Sequence, residues 1–212
     1  MTIVVQPNAA EPSLSERHIR ILDAAERVFA RAGFHAATMQ DVAREAGMSP
    51  GNLYRYFASK DVLVAGMAER DRSQIAQDFA DLCPARGPVL DQLEALGGRL
   101  LVEEPRDKAV IALQIWAEAA RNPEMARMCA SIDGTVMRGL AAAVAEAKRN
   151  GELPERLDEQ CFLLAISMMA DGFLCRRAVD PFFDSALAGQ ALFAAMRALA
   201  QTLLLPEAEA RA

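Results

Sequence analysis

The side chains best suited to binding chemistry are concentrated in one short stretch, SPGNLYRYFASK, at residues 49–60. Two phenolic hydroxyls and two cations lie in it, on Tyr54, Arg55, Tyr56 and Lys60. Cationic nitrogens and hydroxyls donate hydrogen bonds to phosphate oxygens. The small residues Pro50, Gly51 and Asn52 let the backbone come close to a ligand. The stretch therefore has the composition of a surface that binds phosphate groups.

Four helices are predicted around this stretch from apolar spacing and capping residues. Ile21, Leu22, Ala25, Phe29 and Ala32 recur at helical spacing in the first helix. The first helix is predicted from Ser15 to Gly33, and the second from Thr38 to Gly47 with Asp41 as the capping partner of Thr38. The third is predicted to start at Ser49, with Pro50 in its first position, and the fourth at Ser59.

The second and third of these helices, joined by a tight turn through Met48, form a helix-turn-helix pattern. In such a unit the N-terminal half of the later helix enters the major groove of DNA. Leu53 and Phe57, four residues apart, would hold that helix on its domain. The alternative is that the aromatic residues are ordinary core and that Ser49-Pro50 marks only a helix start. The pattern alone leaves both readings open.

The rest of the chain also reads as helix, because it lacks alternating β-branched residues and hairpin turns. The predicted breaks between helices lie near Pro84–Pro88, Glu104–Pro105, Asn122–Pro123, Asn150–Pro154 and Asp180–Pro181. The sequence therefore predicts an all-α fold of about nine helices.

Charge is divided unevenly along the 212 residues. The formal net charge is −6, but residues 1–60 carry seven Lys and Arg against six Asp and Glu, a net of +1, which leaves −7 for the remainder. Overall acidity argues weakly against a nucleic-acid protein. Here that acidity belongs to the second part and does not describe the first. Because 52% of the residues are hydrophobic, the chain can bury a sizeable core.

The sequence offers little for enzymatic chemistry. It contains no GxGxxG or P-loop motif, and no His, Cys or Asp spacing typical of metal ligands. The two histidines, His18 and His35, both precede residue 60 and are expected at the surface. We therefore expect no enzyme, no cofactor and no metal.

The cysteines and the apolar runs bear on location. Cys83, Cys129, Cys161 and Cys175 form no CxxC pair, which favours core thiols in a reducing compartment over disulfides or metal ligands. The start of the sequence has no signal-peptide pattern, and no apolar run approaches the ~18 residues of a membrane span. The sequence predicts a cytoplasmic protein without membrane contact.

The order and spacing of residues 17–67 closely resemble the DNA-binding region of the TetR/AcrR family of bacterial transcription regulators. The matching residues are Ile21, Leu22, Ala24, Ala25, Phe29, Gly33, Phe34, Thr38, Val42, Ala43, Ala46, Gly47, Ser49 and the run LYRYFASKDVL. The resemblance covers about a quarter of the chain and implies a three-helix, N-terminal helix-turn-helix domain that binds double-stranded DNA.

The resemblance also implies roles for single residues. The residues matching Thr38 and Lys60 contact phosphate in the family, and the residue matching Gln40 often points into the groove. Those matching Tyr54 and Tyr56 contact the backbone or a base methyl group. Arg55 falls on a variable position and is our candidate for a sequence-dependent contact. The expected DNA-binding set is Thr38, Gln40, Ser49, Gly51, Asn52, Tyr54, Arg55, Tyr56 and Lys60, whereas Pro50 departs from members with a polar side chain there.

The remainder of such a protein is a larger helical domain that binds a small effector and dimerises through its last two helices. The expected division is a tail at 1–13, the DNA-binding domain at 14–60, the effector and dimerisation domain at 61–205, and a tail at 206–212. Helices at 88–102, 106–120 and 123–150 would surround the effector, with Trp116, Met125, Met128, Met137 and Phe173 as candidate lining residues. Methionine adapts to apolar ligands, but for each of these side chains plain core is the stronger alternative.

Two C-terminal segments, Leu157–Ala178 and Phe183–Leu205, are the candidates for a dimer interface. The candidate residues are Phe162, Ile166, Met169, Phe173, Leu192, Met196 and Leu199. The alternative is that both faces are intramolecular core. The resemblance thus implies a homodimeric repressor released from a near-palindromic operator by a small apolar or aromatic effector. An activator of the same family, or a helical adaptor protein that does not read DNA sequence, remains the alternative.

Overall fold

A computed structural model of the protein describes residues 14–205, and it confirms the all-α prediction. Nine α-helices lie in that range: α1 (Leu14–Ala32), α2 (Met39–Glu45), α3 (Pro50–Tyr54), α4 (Lys60–Ala80), α5 (Val89–Gly97), α6 (Arg106–Ala119), α7 (Pro123–Arg149), α8 (Glu159–Val179) and α9 (Ser185–Thr202). A 3₁₀ turn at Pro84–Arg86 precedes α5, and a π-helix at Gly98–Glu103 follows it. The predicted tails at 1–13 and 206–212 lie outside the described residues.

The chain divides into two compact units, with the first ending at Val64 and the second beginning at Ala65. The helix α4 begins in the first unit and ends in the second. In the first unit, α1 packs on α2 and α2 packs on α3. Its core consists of completely or almost completely buried side chains, namely Ile21, Ala25, Val28, Phe29, Val42, Ala43, Leu53 and Leu63.

Local sequence accounts for where α1 and α2 end. Gly33 and Gly47 follow the two helices and have φ of 82° and 68°, a left-handed conformation that costs glycine little. Both residues were predicted as helix stops.

The start of α2 is fixed by a reciprocal capping box. Thr38 Oγ1 accepts from the backbone N–H of Asp41, and the Asp41 carboxylate accepts from the backbone N–H of Thr38. The hydrogen bonds from Thr38 lower the pKa of the Asp41 carboxyl, with a smaller contribution from Arg44. The predicted capping partners therefore meet as expected.

The second unit is built on a core shared by four of its helices. Buried side chains from α5, α7, α8 and α9 meet in this core, together with two from the α7–α8 connection: Val89, Leu90, Leu93, Ala143, Val144, Ala147, Leu153, Leu157, Phe162, Leu163, Met196 and Ala200. The helix α6 packs mainly on α7 and α8. Glu152 caps α5, because its carboxylate accepts from the N–H groups of Val89 and Leu90 at 2.9 and 3.0 Å.

Two arginines join the π-helix and the start of α6 to the end of α8. The buried guanidinium of Arg177 donates to the carbonyls of Leu101, Val102 and Glu104, where the π-helix leaves backbone oxygens without helical partners. Arg106 donates in the opposite direction, to the carbonyls of Arg177 and Ala178 at 3.0 and 2.5 Å. This exchange satisfies the polar backbone of both helix ends.

The helix α7 is long and apolar enough to cross a membrane by length and composition alone. The sequence-based expectation that no stretch approaches that length does not hold for it. A single helix of this kind is weak evidence for a membrane span, and α7 contacts α5, α6 and α8 within this unit. The four cysteines were predicted to be core thiols. Cys161 is exposed, and the other three thiols are half-buried.

One close helix approach in the second unit depends on a glycine. A methyl group at Gly139 of α7 would overlap the ring of Phe79 of α4. Gly172 of α8 differs, because a Cβ built there would have no atom within 4 Å outside the adjacent backbone of its own helix.

We expect Gly139→Ala to destabilise the second unit by about 1–2 kcal/mol, because displacing Phe79 outweighs the gain in helix propensity. The matched control is Gly134→Ala in the same helix. Its nearest neighbour is the flexible Arg138 guanidinium at 3.3 Å, so we expect it to be neutral or to stabilise by up to ~1 kcal/mol. Urea unfolding of both variants measures the difference, and equal stabilities would contradict the close contact.

The capping box makes the stability of α2 depend on pH. Because the folded pKa of Asp41 is lowered, its contribution is complete above the unfolded pKa of about 3.9 and is lost as pH falls through the folded value. We expect Asp41→Asn to speed amide exchange in α2 near pH 6. The difference in amide exchange rate between wild type and variant should shrink as the pH falls below about 3.9. A gap that stays constant down to pH 2 would contradict this role.

Candidate nucleic-acid interface

The candidate surface is built around α3, which is only five residues long. Ser49 Oγ accepts from the N–H of Asn52 at 3.3 Å, and Pro50 occupies the first helical position. Leu53 is completely buried, whereas the side chain of the next residue, Tyr54, is exposed. The helix therefore has an apolar back, anchored in the unit, and a polar front.

The residues after α3 continue this division between back and front. Arg55 is the C-cap of α3 and is exposed, and Phe57 is buried. The second helix of the helix-turn-helix ends at Tyr54 and is shorter than predicted. Arg55 and Tyr56 lie in the turn that leads to α4.

Tyr56 is half-buried and held from α1. Its ring packs edge-on against His18 with 5.2 Å between centroids, and its hydroxyl accepts from Arg17 at 3.3 Å. A hydroxyl that accepts one bond keeps its own hydrogen to donate, so Tyr56 retains the capacity to bond an external oxygen. His18, expected at the surface, is half-buried here and also packs on Phe57.

Six of the nine predicted DNA-binding residues are exposed: Thr38, Gln40, Ser49, Gly51, Tyr54 and Arg55. The remaining three, Asn52, Tyr56 and Lys60, are half-buried. All nine lie in the first unit: Lys60 is the first residue of α4, and the others lie on α2, on α3 or on the residues that cap or follow them. A role in binding DNA stays a prediction for each.

Lys60 is placed differently from the other candidates. Its ammonium nitrogen lies 2.7, 3.3 and 3.2 Å from the carbonyl oxygens of Phe34, His35 and Ala37, and 4.6 Å from the centroid of the Phe34 ring. The side chain therefore points into the connection between α1 and α2.

Sequence reasoning missed two polar contacts that brace this surface from α1. The first is the support of Tyr56 by Arg17 and His18. In the second, Glu45 of α2 accepts from Arg27 at 2.8 Å and from Arg31 at 3.2 Å, which lowers the pKa of the Glu45 carboxyl. Both contacts join residues 14 to 39 positions apart, so no local pattern announces them.

The candidate effector residues lie on α6, α7 and α8 of the second unit. Met125 and Phe173 are buried, and Phe173 packs edge-on against Phe183 with 5.2 Å between centroids. Trp116 and Met128 are half-buried, and Met137 packs against the shared core. This contact favours the plain-core alternative for Met137. Lining an effector site stays a prediction for Trp116, Met125, Met128 and Phe173.

Two carboxyl groups accompany these apolar residues. Partial desolvation raises the pKa of Asp133 on α7 and of Asp171 on α8, although both residues are exposed, and the negative charge of Asp133 raises the pKa of Asp171 further. The thiol pKa of Cys129 is raised as well, by burial and then by Asp133. The charge of Asp133 therefore acts on Cys129 within α7 and on Asp171 of α8.

The candidate dimer residues mostly face the interior of their own chain. Phe162, Phe173, Leu192 and Met196 are buried, and Ile166 and Leu199 pack against the shared core. This is the intramolecular alternative that the sequence left open. The exposed apolar side chains of the same two helices are Leu164, Met168, Val179 and Leu187.

Known proteins resemble the chain over both units. Two family models match it: bacterial regulatory proteins of the tetR family over residues 21–67, and the C-terminal part of BetI-type transcriptional repressors over residues 89–204. The HTH-type transcriptional regulator UidR of Escherichia coli strain K12 is 29% identical over 134 residues, which cover 63% of this chain and 67% of UidR.

Solved structures show the same fold. GusR of Salmonella enterica superposes with a TM-score of 0.73 at 24% identity, covering 92% of this chain and all of GusR. FadR of Bacillus subtilis, solved in complex with stearoyl-CoA, gives a TM-score of 0.72 at 20% identity, covering 84% of this chain and 97% of FadR. Together with the two family matches and the helix-turn-helix geometry, this establishes that the chain belongs to the TetR family of transcriptional regulators, with a helix-turn-helix DNA-binding domain and a BetI-type ligand-binding domain.

Proposed function

We propose that this TetR-family regulator is a cytoplasmic homodimeric repressor that leaves a near-palindromic operator when a small apolar or aromatic effector binds. The observation that carries the DNA-reading part is the division of α3 into a buried back and an exposed front. Leu53 is completely buried, whereas 49% of Tyr54 is exposed beside the exposed Arg55. A rigidly held polar front is what the major groove requires of a reading helix.

The chemistry of that front fits both parts of a DNA site. The hydroxyl groups of Tyr54 and Tyr56 and the side chain of Thr38 suit phosphate oxygens, which position a protein on the duplex. Arg55 can donate two parallel hydrogen bonds to a guanine edge and is the candidate for reading sequence. Pro50 offers only van der Waals contact. Sequence preference should therefore depend on Arg55 and Gln40 more than on the tyrosines.

Dimerisation is supported by apolar surface on the last two helices. On α8, Leu164 and Met168 lie one turn apart and are 57% and 63% exposed, and Val179 lies further along the same stripe. On α9, Leu187 is 63% exposed, and the exposed Ala191, Ala194 and Ala198 follow it at helical spacing. Exposed apolar side chains grouped in this way are typical of a protein interface. These residues replace the buried candidates in our proposal.

Regulation would pass through α4, because this helix begins in the DNA-binding unit and ends among the helices of the second. Asp71 of α4 pairs with Lys108 of α6, and Asp78 pairs with Arg99 of the π-helix, both at 3.8 Å. Further along α4, Phe79 packs against Gly139 of α7. Movement of α6 or α7 would therefore act directly on α4.

The effector is proposed to lie among α6, α7 and α8, near Trp116, Met125, Met128 and Phe173. The acyl ligand of FadR, whose fold is shared, supports an apolar ligand for this domain type. Such a ligand weakens DNA binding only if it binds the released conformation more tightly than the DNA-bound one.

Fluorescence anisotropy with a duplex from upstream of the protein's own gene, in excess random competitor, tests the DNA-reading proposal. We expect saturable binding, and at least about tenfold weaker binding for Tyr54→Ala or Arg55→Ala, because each loses a direct contact. Arg149→Ala, which removes an exposed cation from the second unit, is the matched control and should bind as wild type does.

If Arg149→Ala weakens binding as much as Tyr54→Ala or Arg55→Ala does, the measured binding is only the nonspecific attraction of the protein to DNA phosphates. Binding that tolerates both substitutions in α3 and its C-cap would contradict the reading role and favour a helical adaptor. A reporter gene placed behind the recovered site separates a repressor from an activator, because only a repressor lowers expression when no effector is present.

Charge on the exposed stripe should dissociate the proposed dimer. We expect Met168→Glu with Leu187→Glu to convert a dimer into a folded monomer in analytical ultracentrifugation, since two carboxylates would be buried without partners. Ala142→Glu, at an exposed position of α7, is the control and should remain dimeric. A double variant that stays dimeric would place the interface elsewhere.

A further inference from the structure

We infer that the π-helix Gly98–Glu103 is a conformational switch in the second unit. Helices α8 and α9 hold it in the π form, and its rewinding into an α-helix moves the start of α6. Arg177 of α8 is the positioning residue that makes one of these two holds. The inference rests on the geometry of the second unit, and only its consequence for DNA binding rests on the proposed function.

The π-helix continues α5 and breaks the regular hydrogen-bonding pattern of that helix. The N–H of Glu104, just beyond its end, donates to the carbonyl of Arg99 at 3.1 Å, a bond between residues five positions apart. π-helices are rare and frequently lie at functional sites. A full turn in this form therefore requires stabilising contacts from outside the segment.

The first hold comes from α9, which fits the π form and not the α form. A Cβ built at Gly97 would lie 2.8 Å from the ring of Phe193, and one built at Gly189 would lie 2.7 Å from the side chain of Val102. Gly97 and Val102 therefore both face α9. In an α-helix two residues five positions apart point about 140° away from each other. The π-helix brings them over one another, so both can meet the same face of α9.

The second hold is the buried guanidinium of Arg177 on α8. It donates to the carbonyls of Leu101 and Val102 at 2.6 and 3.0 Å, and to that of Glu104. Carbonyls at the end of a helix have no partner within the helix, and hydrogen bonds from a charged donor are stronger than neutral ones. Rewinding would rotate these carbonyls away from Arg177. The contact therefore favours the π form.

The π-helix controls the start of α6, because only Glu104 and Pro105 lie between them. The two helical forms hold different numbers of residues per turn, so rewinding changes the length and the rotation of the segment that leads into α6. Arg106, the first residue of α6, donates back to the carbonyls of Arg177 and Ala178 at 3.0 and 2.5 Å. A shift of α8 against α9 therefore acts on the π-helix and on α6 together.

The test removes each hold separately and measures amide exchange by mass spectrometry. We expect Arg177→Met and Gly97→Ala to speed exchange over residues 99–109 by about tenfold or more, because each loses contacts that only the π form makes. Exchange over residues 143–147, in the shared core, should not change. The matched controls are Arg176→Met, an exposed cation next to Arg177, and Gly98→Ala, where a Cβ meets nothing within 4 Å.

A deletion separates a switch from a merely structural contact. Without Arg99, which is exposed, Gly97 and Val102 are four positions apart, and an α-helix then places both against α9. We expect this deletion in the Arg177→Met background to return exchange over residues 99–109 to within about threefold of the wild type, because the α form does not need Arg177. Arg99→Ala in the same background loses the ion pair with Asp78 without shortening the segment and should not rescue.

Unchanged exchange in both Arg177→Met and Gly97→Ala would overturn the inference, and so would a deletion that speeds exchange further. If Arg177→Met alone does not fold, a folded double variant supports the inference and an unfolded one contradicts it.

In the DNA-binding assay, we expect Arg177→Met to bind the operator about fivefold or more weakly and Arg176→Met to bind as wild type does. Unchanged operator binding by Arg177→Met would contradict the regulatory consequence. Exchange requires no DNA, so it decides the inference even if no protein binds an operator and the proposed function fails.

Discussion

The proposed DNA-reading surface depends on the burial of Leu53. A helix of five residues forms too few backbone hydrogen bonds to persist alone, so α3 exists only because it is packed. Complete burial of Leu53, together with that of Phe57, fixes both the position and the rotation of the segment. That rotation alone determines that Tyr54 and Arg55 face outward.

The polar contacts around this apolar anchor restrict the remaining freedom. Arg17 and His18 hold Tyr56 from α1, and Glu45 ties α2 to the same helix. Lys60 closes the α1–α2 connection from the side of α4. Each contact joins separate elements, so the unit presents its donors in one arrangement. Prior ordering of this kind reduces the entropy lost on binding.

Much of this architecture was predictable from the sequence because it is encoded locally. The Thr38–Asp41 capping box and the stops at Gly33 and Gly47 follow from the conformations that those residues prefer. Contacts between distant residues were not predictable, and Lys60 shows why. A role for Lys60 in binding phosphate stays a prediction, and its carbonyl partners, 23 to 26 residues away, become visible only in the folded unit.

The structure favours the intramolecular alternative for most of the dimer candidates, and the physical reason is a different one. The helix α8 is apolar on two sides, so residues near Phe162 and Phe173 form one stripe and those near Leu164 and Met168 form another. Periodicity identifies a stripe but not what covers it. Only the structure shows that the first stripe is the chain's own core. The helix-turn-helix has one apolar side and one polar side, and there the same reasoning placed Leu53 and Phe57 correctly.

The most direct test of the central claim is selection of binding sites by the wild-type protein from a pool of random duplexes. If two outward-facing α3 helices read DNA as a symmetric pair, the enriched sequences will contain two inverted half-sites whose centres lie about one helical turn, or a whole number of turns, apart. Enrichment of no sequence, or of a single unrepeated half-site, would contradict the account.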